Sequence, residues 1–227
     1  INTCGNLKFD QDVPSELEDI SKSIKQDWSI DGKYRPTLIA ASTHETEEEE
    51  VLKAFQQILK SYPNALLIIV PRHLERFDKV KKLIKTSGLT LASRSKKDEV
   101  KRSTQVLLGD TIGELNFLYS LSDVAFVGGS LIDHGGQNLL EPAAQGLALL
   151  SGPSLRNFSD ISEQLKQNVG LKIVNDSREL SDRFIEYIAD YKARERAGNN
   201  ALEVFMQNRG ALGNISYHLG LLLKERI

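Results

Sequence analysis

The chain has little that would tie it together covalently: one cysteine, Cys4, in 227 residues. That excludes an internal disulfide framework and suits a reducing compartment. No apolar run approaches the roughly 18 residues that a spanning helix needs, and no secretory signal opens the chain. Charge of one sign is lacking too. The 29 Lys and Arg against 31 Asp and Glu give a formal net charge of −2, which supplies no electrostatic footprint for nucleic acid. No G-x-G-x-x-G fingerprint or Walker loop follows an expected strand, and no G-x-S-x-G elbow is present. Dinucleotide, P-loop and hydrolase readings therefore lose their usual signals. His44, His73 and His134 show no zinc spacing, so no metal site is expected. Internal repeats and low-complexity linkers are also missing.

What is present is ordinary for a globular protein: 40% hydrophobic and 26% charged residues. The length fits one large α/β domain or two small ones, and is ample for a sizeable core. The chain opens Ile1-Asn2-Thr3-Cys4-Gly5-Asn6-Leu7, which reads like the interior of a strand and turn. A fragment is expected, with any targeting or membrane segment upstream.

Short apolar runs alternate with helical patterns. Leu38 to Ala41, Ala65 to Val70, Leu89 to Leu91, Gln105 to Leu108, Val124 to Val127, Ala148 to Leu150 and Leu171 to Val174 read as strands. A helix is expected from about Glu45 to Lys60, with Val51, Leu52, Phe55, Ile58 and Leu59 at three-to-four spacing. Ser42 and Glu45 could form its capping box, and the acidic run Glu47 to Glu50 sits at the positive end of its dipole. Further helices are expected over 75–86, 112–121, 138–146, 157–168 and 177–192, and Ser93 to Arg102 reads as an exposed loop or hairpin. Continuous apolar strands between helices predict a parallel sheet covered on both faces, a doubly wound Rossmann-like α/β fold with a helical carboxy-terminal tail.

In such sheets ligands bind beyond the carboxyl ends of the strands. The expected strand ends carry Ser42-Thr43-His44-Glu45, Pro71-Arg72-His73, Gly109-Asp110-Thr111-Ile112-Gly113-Glu114 and Gly128-Gly129-Ser130. Arg72 is a candidate phosphate ligand, because its planar fork suits such oxygens. In Gly135-Gly136-Gln137-Asn138-Leu139-Leu140-Glu141-Pro142-Ala143, glycines before a helix start would leave free N–H groups for an anion. Asn138 and Glu141 would share one face of the first turn, either to hold a ribose or simply to cap the helix. Asp10-Gln11-Asp12 matches the acidic pair of metal-dependent glycosyltransferases only as a three-residue signal.

Six segments in order, Gly5 to Asp10, Ala41 to Glu45, Pro71 to Phe77, Gly109 to Glu114, Phe126 to Ser130 and Gly135 to Ala143, resemble motifs of the bacterial 3-deoxy-D-manno-octulosonic acid (Kdo) transferases of lipopolysaccharide synthesis. The resemblance implies one lobe of a two-lobed GT-B enzyme, metal-independent and inverting, that moves Kdo from CMP-Kdo to the lipid A precursor. It implies action at the cytoplasmic face of the inner membrane, with this fragment soluble. By the same resemblance Pro71 and Arg72 contact CMP, with Arg72 on the phosphate. Ile112, Gly113 and Glu114 hold the base, and Asn138, Leu139, Leu140 and Glu141 give helix-end contacts with Glu141 on the ribose. Lys8 stabilises charge in the transition state, and the general base lies in an amino-terminal lobe outside this chain. Ser42, Gly128, Gly129, Ser130 and Gly136 are further possible donor contacts. Gln137 departs from the pattern, which has histidine there; glutamine cannot titrate near neutrality.

The resemblance divides the chain into an interlobe segment (1–14), a CMP-sugar-binding domain (15–210) and a final helix (211–227) packing toward the other lobe. Alone, the chain is expected to bind donor and transfer nothing. A UDP-sugar-using GT-B enzyme or epimerase, and a non-catalytic nucleotide-binding module, are the alternatives.

Overall fold

The computed structural model describes residues 16–209. The expected interlobe segment with Lys8, Asp10 and Asp12, and the final apolar helix expected over 212–223, lie outside them.

Seven strands form one sheet: β1 (Thr37–Thr43), β2 (Leu66–Pro71), β3 (Leu91–Ser93), β4 (Val106–Leu108), β5 (Val124–Val127), β6 (Ala148–Ser151) and β7 (Leu171–Ile173). Their order is β3-β4-β2-β1-β5-β6-β7, and every pairing is parallel. Eight α-helices connect or flank them: α1 (Glu16–Asp27), α2 (Glu47–Ser61), α3 (Phe77–Thr86), α4 (Leu115–Ser120), α5 (Leu140–Ala144), α6 (Ser159–Gln167), α7 (Ser177–Ala189) and α8 (Tyr191–Gln207). No helix of the described residues is long and apolar enough to cross a membrane.

The period-2 alternation of strands divides the core in two. Leu38, Ala40, Leu67, Ile69, Val124 and Phe126 face Val51, Phe55 and Ile58 of α2, Val80 and Ile84 of α3 and Phe184 of α7. Ile39, Ala41, Ile68, Ala125, Val127 and Leu149 face Leu118 of α4, Leu140 of α5, Leu165 of α6 and Ala201 and Phe205 of α8. Both faces are covered, which is why the strands are apolar throughout. The expected doubly wound fold is the fold observed.

Several expectations fail locally. The Ser42–Glu45 capping box does not form: α2 begins at Glu47, and its N-cap, Thr46, makes no side-chain cap bond. Ser42 instead occupies the left-handed region at a bulge in β1. The third strand lies two residues beyond Leu89–Leu91, because the Thr90 carbonyl accepts from the amides of Gln105 and Val106. Ser93 is therefore a buried strand residue, not the start of an exposed loop. The expected helices over 112–121 and 138–146 shrink to six and five residues. The helix over 177–192 ends at Ala189, where the extended ψ of Asp190 starts a second helix capped by its own side chain. Helix α1 was not anticipated; Glu, Asp and Lys dominate it and mask its one apolar stripe.

Gly198 of α8 lies so close to the chain after α5 that an added Cβ would collide with the Gly146 carbonyl. Helix propensity alone predicts that Gly198→Ala stabilises the chain by about 1 kcal/mol. The packing predicts the opposite sign, a loss of about 1–3 kcal/mol in urea unfolding.

Candidate functional site

The chain runs from β1 to β2 and β4 on one side of the sheet and then crosses to β5 on the other. The topological switch point, where open α/β sheets bind ligands, is therefore at the carboxyl ends of β1 and β5. The four segments singled out above leave β1, β2, β4 and β5, which are neighbours in the order β4-β2-β1-β5. They share one edge.

At the switch point the backbone is held by Glu47. Its carboxylate is fully buried, and four main-chain amides converge on it. Oε2 accepts from His44 at 3.0 Å and Gly129 at 2.6 Å, and Oε1 accepts from Ser130 and Leu131, both at 2.9 Å. Charge-assisted bonds of this kind are the strong ones, and together they fill the acceptor capacity of the group. They also explain why Ser42 and Thr46 tolerate φ values of 54° and 70°, a strain that costs of order 1–3 kcal/mol where surroundings over-determine it. Gly128 completes the fit, since a Cβ there would lie 2.7 Å from the Ser42 carbonyl.

Glu48 is buried as well and takes a bidentate pair from Arg76 at 3.0 Å for both bonds. Burial pushes its carboxyl up, against the opposing pull of Arg76. A third bond joins Arg76 to Glu45 at 2.9 Å. Arg76 closes the 3-10 turn Leu74–Arg76, so the two ion pairs fasten the segment after β2 onto α2. The periodicity of α2 carried the signal for both glutamates: Glu47 and Glu48 stand one turn before Val51 and Leu52 and share their buried face. The helix dipole is not the main reason for the acidic run.

Arg72 follows buried Pro71 with its amide donating to the Thr43 carbonyl at 2.9 Å. Its guanidinium has no hydrogen-bond or ion-pair partner among the described residues, and the residue is exposed. Fixed backbone and free charge suit an anion.

The β4 end is more committed. Asp110 accepts from Ser93 Oγ at 2.5 Å and from the Ser95 amide and hydroxyl at 2.8 and 2.6 Å. Burial would raise its carboxyl, but these bonds outweigh burial and hold it below the usual range. Glu114 accepts from Arg94 at 2.8 and 3.1 Å and from Thr111 at 2.6 Å, and Arg94 above all holds it low. Its carboxylate is thus engaged, while Ile112, 77% exposed, and Gly113 project between. An open cavity of about 780 Å³ lies there, lined by Leu74, Phe77, Arg94, Asp110 and Ile112.

Beyond β5, the amides expected to be free are largely bonded within the protein. Gly136 donates to the Gly129 carbonyl at 2.7 Å, Gln137 to Gly128 at 3.1 Å and Gly135 to Ser154 Oγ at 2.9 Å. Ser130 is buried, its hydroxyl donating to Val127 and accepting from Gly152. Ser42, Gly128, Gly129, Ser130 and Gly136 therefore shape the turns, and a helix of five residues brings little dipole to them. Leu139 and Leu140 are core side chains with no exposure. Asn138 precedes the N-cap of α5 and does not lie in its first turn, yet it meets Glu141: Asn138 Oδ1 accepts from Leu140 N at 3.0 Å, and its Nδ2 donates to Glu141 Oε1 at 2.9 Å. The half-buried Glu141 keeps its second oxygen unengaged.

Three histidines, far apart in sequence, meet at the same place. The ring centroids of His44 and His134 are 4.1 Å apart and those of His44 and His73 are 5.3 Å apart. Gln137 Nε2 stands 3.0 Å from His44 Nε2. They pack ring against ring, and no group of three or more His, Cys, Asp or Glu among the described residues is placed to hold a metal ion. A separate cavity of about 580 Å³, lined by Tyr34, Tyr62, Ile188, Tyr191 and Arg194, includes Pro36 just before β1 and so opens at the amino-terminal edge, away from these groups.

The family model described as "Glycosyl transferases group 1" matches residues 22–204. The 3-deoxy-D-manno-octulosonic acid transferase of Haemophilus influenzae is 43% identical over 93% of the chain and 49% of its own length. The Bordetella pertussis enzyme of the same name is 34% identical over 87% of the chain and 46% of its own length. The chain spans about half the length of these relatives. Among solved structures, the C-terminal CMP-Kdo binding domain of WaaA from Acinetobacter baumannii superposes with a TM-score of 0.78 at 33% identity, covering 84% of the chain and 98% of that domain.

Glu47→Gln turns two amide hydrogens toward backbone N–H donors. A loss of about 3 kcal/mol or more is expected in urea unfolding, and a change under about 0.5 kcal/mol would show that the four bonds do not hold the turns.

Proposed function

Because the chain belongs to the glycosyl transferases group 1 family, we propose that it is the donor-binding lobe of an enzyme transferring Kdo from CMP-Kdo to a lipid A precursor. The observation that carries this reading is the unpaired Arg72 guanidinium on the same sheet edge as the Asn138–Glu141 turn. Similarity to the CMP-Kdo binding domain of the Acinetobacter baumannii protein supports the donor. Arg72 meets the phosphate, the free oxygen of Glu141 accepts a ribose hydroxyl, and the 110–114 loop receives the base beside Ile112. With Glu114 engaged by Arg94 and Thr111, base contact falls to the backbone and the Ile112 side chain.

Departure of CMP leaves charge on a monophosphate, less than a diphosphate would carry. Arg72 and, in the interlobe segment, Lys8 stabilise that charge without a metal ion. Attack from the opposite side of the sugar, with inversion, requires a base from the other lobe. The full-length enzyme closes both lobes on the donor at the cytoplasmic face of the inner membrane, where its lipid acceptor lies.

A titration of the 227-residue chain with CMP, UDP and NAD, followed by NMR, tests the donor. CMP is expected to shift amides at 72, 111–114 and 138–141. Arg72→Ala and Glu141→Ala should each weaken CMP about tenfold without lowering the melting temperature. Binding of UDP or NAD in place of CMP contradicts the reading.

A further inference from the structure

His44, His73 and His134 come from the ends of β1 and β2 and from the β5–α5 connection, so they stand around the switch point next to Arg72. Their surroundings differ. His44 is 6% exposed, its amide is fixed on Glu47, and its ring faces Gln137. With the Gln137 amide nitrogen turned to the ring, His44 Nε2 is the acceptor, an arrangement that calls for the His44 proton on Nδ1. Burial and then the positive field of His134, with smaller contributions from His73 and Arg72, disfavour a charged His44; Glu47 alone opposes them. His44 is therefore a buried ring, packed against its two neighbours, whose surroundings favour the neutral form.

His73 and His134 are exposed, and their ring nitrogens have no hydrogen-bond partner among the described residues. Most acidic groups nearby are engaged elsewhere: Glu47 by four amides, Glu45 and Glu48 by Arg76, and Asp133 by Arg156. Glu75, in the turn after His73, is exposed and has no partner among the described residues. Two unengaged imidazoles and an unpaired guanidinium make a surface suited to an anion from outside.

We propose that His73 and His134, together with Arg72, are the contacts for the donor's phosphate, with His44 and Gln137 as positioning residues that fix both rings. The assignment rests on the CMP reading above. A seated phosphate favours the imidazolium form of each ring, so binding takes up protons. The sign follows: affinity is gained below the imidazole pKa of the complex and lost as pH rises through it. Below about pH 6 protonation of the CMP phosphate itself opposes the gain, which sets the useful window above that value.

Calorimetric titration of the 227-residue chain with CMP and with cytidine, at pH 6.5 and 8.5 in buffers of different ionisation heat, tests this. Expected for the unaltered chain are proton uptake on binding CMP and weaker CMP at pH 8.5, with cytidine indifferent to pH. His73→Asn/His134→Asn is expected to bind CMP about tenfold more weakly at pH 6.5, to bind cytidine as before, and to lose the proton uptake. Nitrogen-15 spectra of His44 should show the Nδ1–H form across this range. CMP binding with no proton uptake and equal affinity in the double variant overturns the histidine assignment and leaves the CMP reading standing. An Nε2–H His44 overturns the role of Gln137. No CMP binding at either pH overturns both readings.

Discussion

A single buried carboxylate organises this domain's ligand edge. Glu47 gathers the amides of His44, Gly129, Ser130 and Leu131, and so joins the turn after β1 to the turn after β5 across the switch point. Removing a carboxylate from water is costly unless its lone pairs are satisfied, and here the backbone supplies every donor. The consequences spread outward. The left-handed Ser42, the close approach of Gly128, the burial of Ser130 and the position of His44 all depend on that junction.

Around the junction the polar residues divide by their partners. Glu48, Asp110, Glu114 and Asn138 are engaged in bonds inside the protein and serve to place loops. Arg72, the rings of His73 and His134, and one oxygen of Glu141 are left over. The groups available to a ligand thus include a free guanidinium and two imidazoles, on an edge built by anions. A chain with nearly balanced charge can leave Arg72 unpaired because most acids beside it are buried or paired.

Much of this was readable in the sequence. Strands such as Leu66–Pro71 and Val124–Val127 are unbroken apolar runs, and those need a sheet covered on both sides; the shared edge followed from their parallel direction. The spacing of Asn138 and Glu141 also placed them together. Where the reading failed, long-range contacts decided. The glutamates of α2 had a sufficient local explanation in the helix dipole, so their burial stayed hidden although their phase with Val51 and Leu52 pointed to it. The glycines at 128–136 looked like an open anion cradle, yet their amides are bonded to partners that only the folded chain brings near. The three histidines are separated by 29 residues or more and have no local pattern at all.

Glu47 should hold the ligand edge as one rigid unit in the free protein. Native-state hydrogen exchange at Gly129, Ser130 and Leu131 reads this junction amide by amide. These amides lie in turns, yet they should exchange only through near-global opening, with protection close to that of β1 and β5. Exchange as fast as in the exposed 95–103 segment would mean that the four bonds open locally, and that the site is assembled by its ligand.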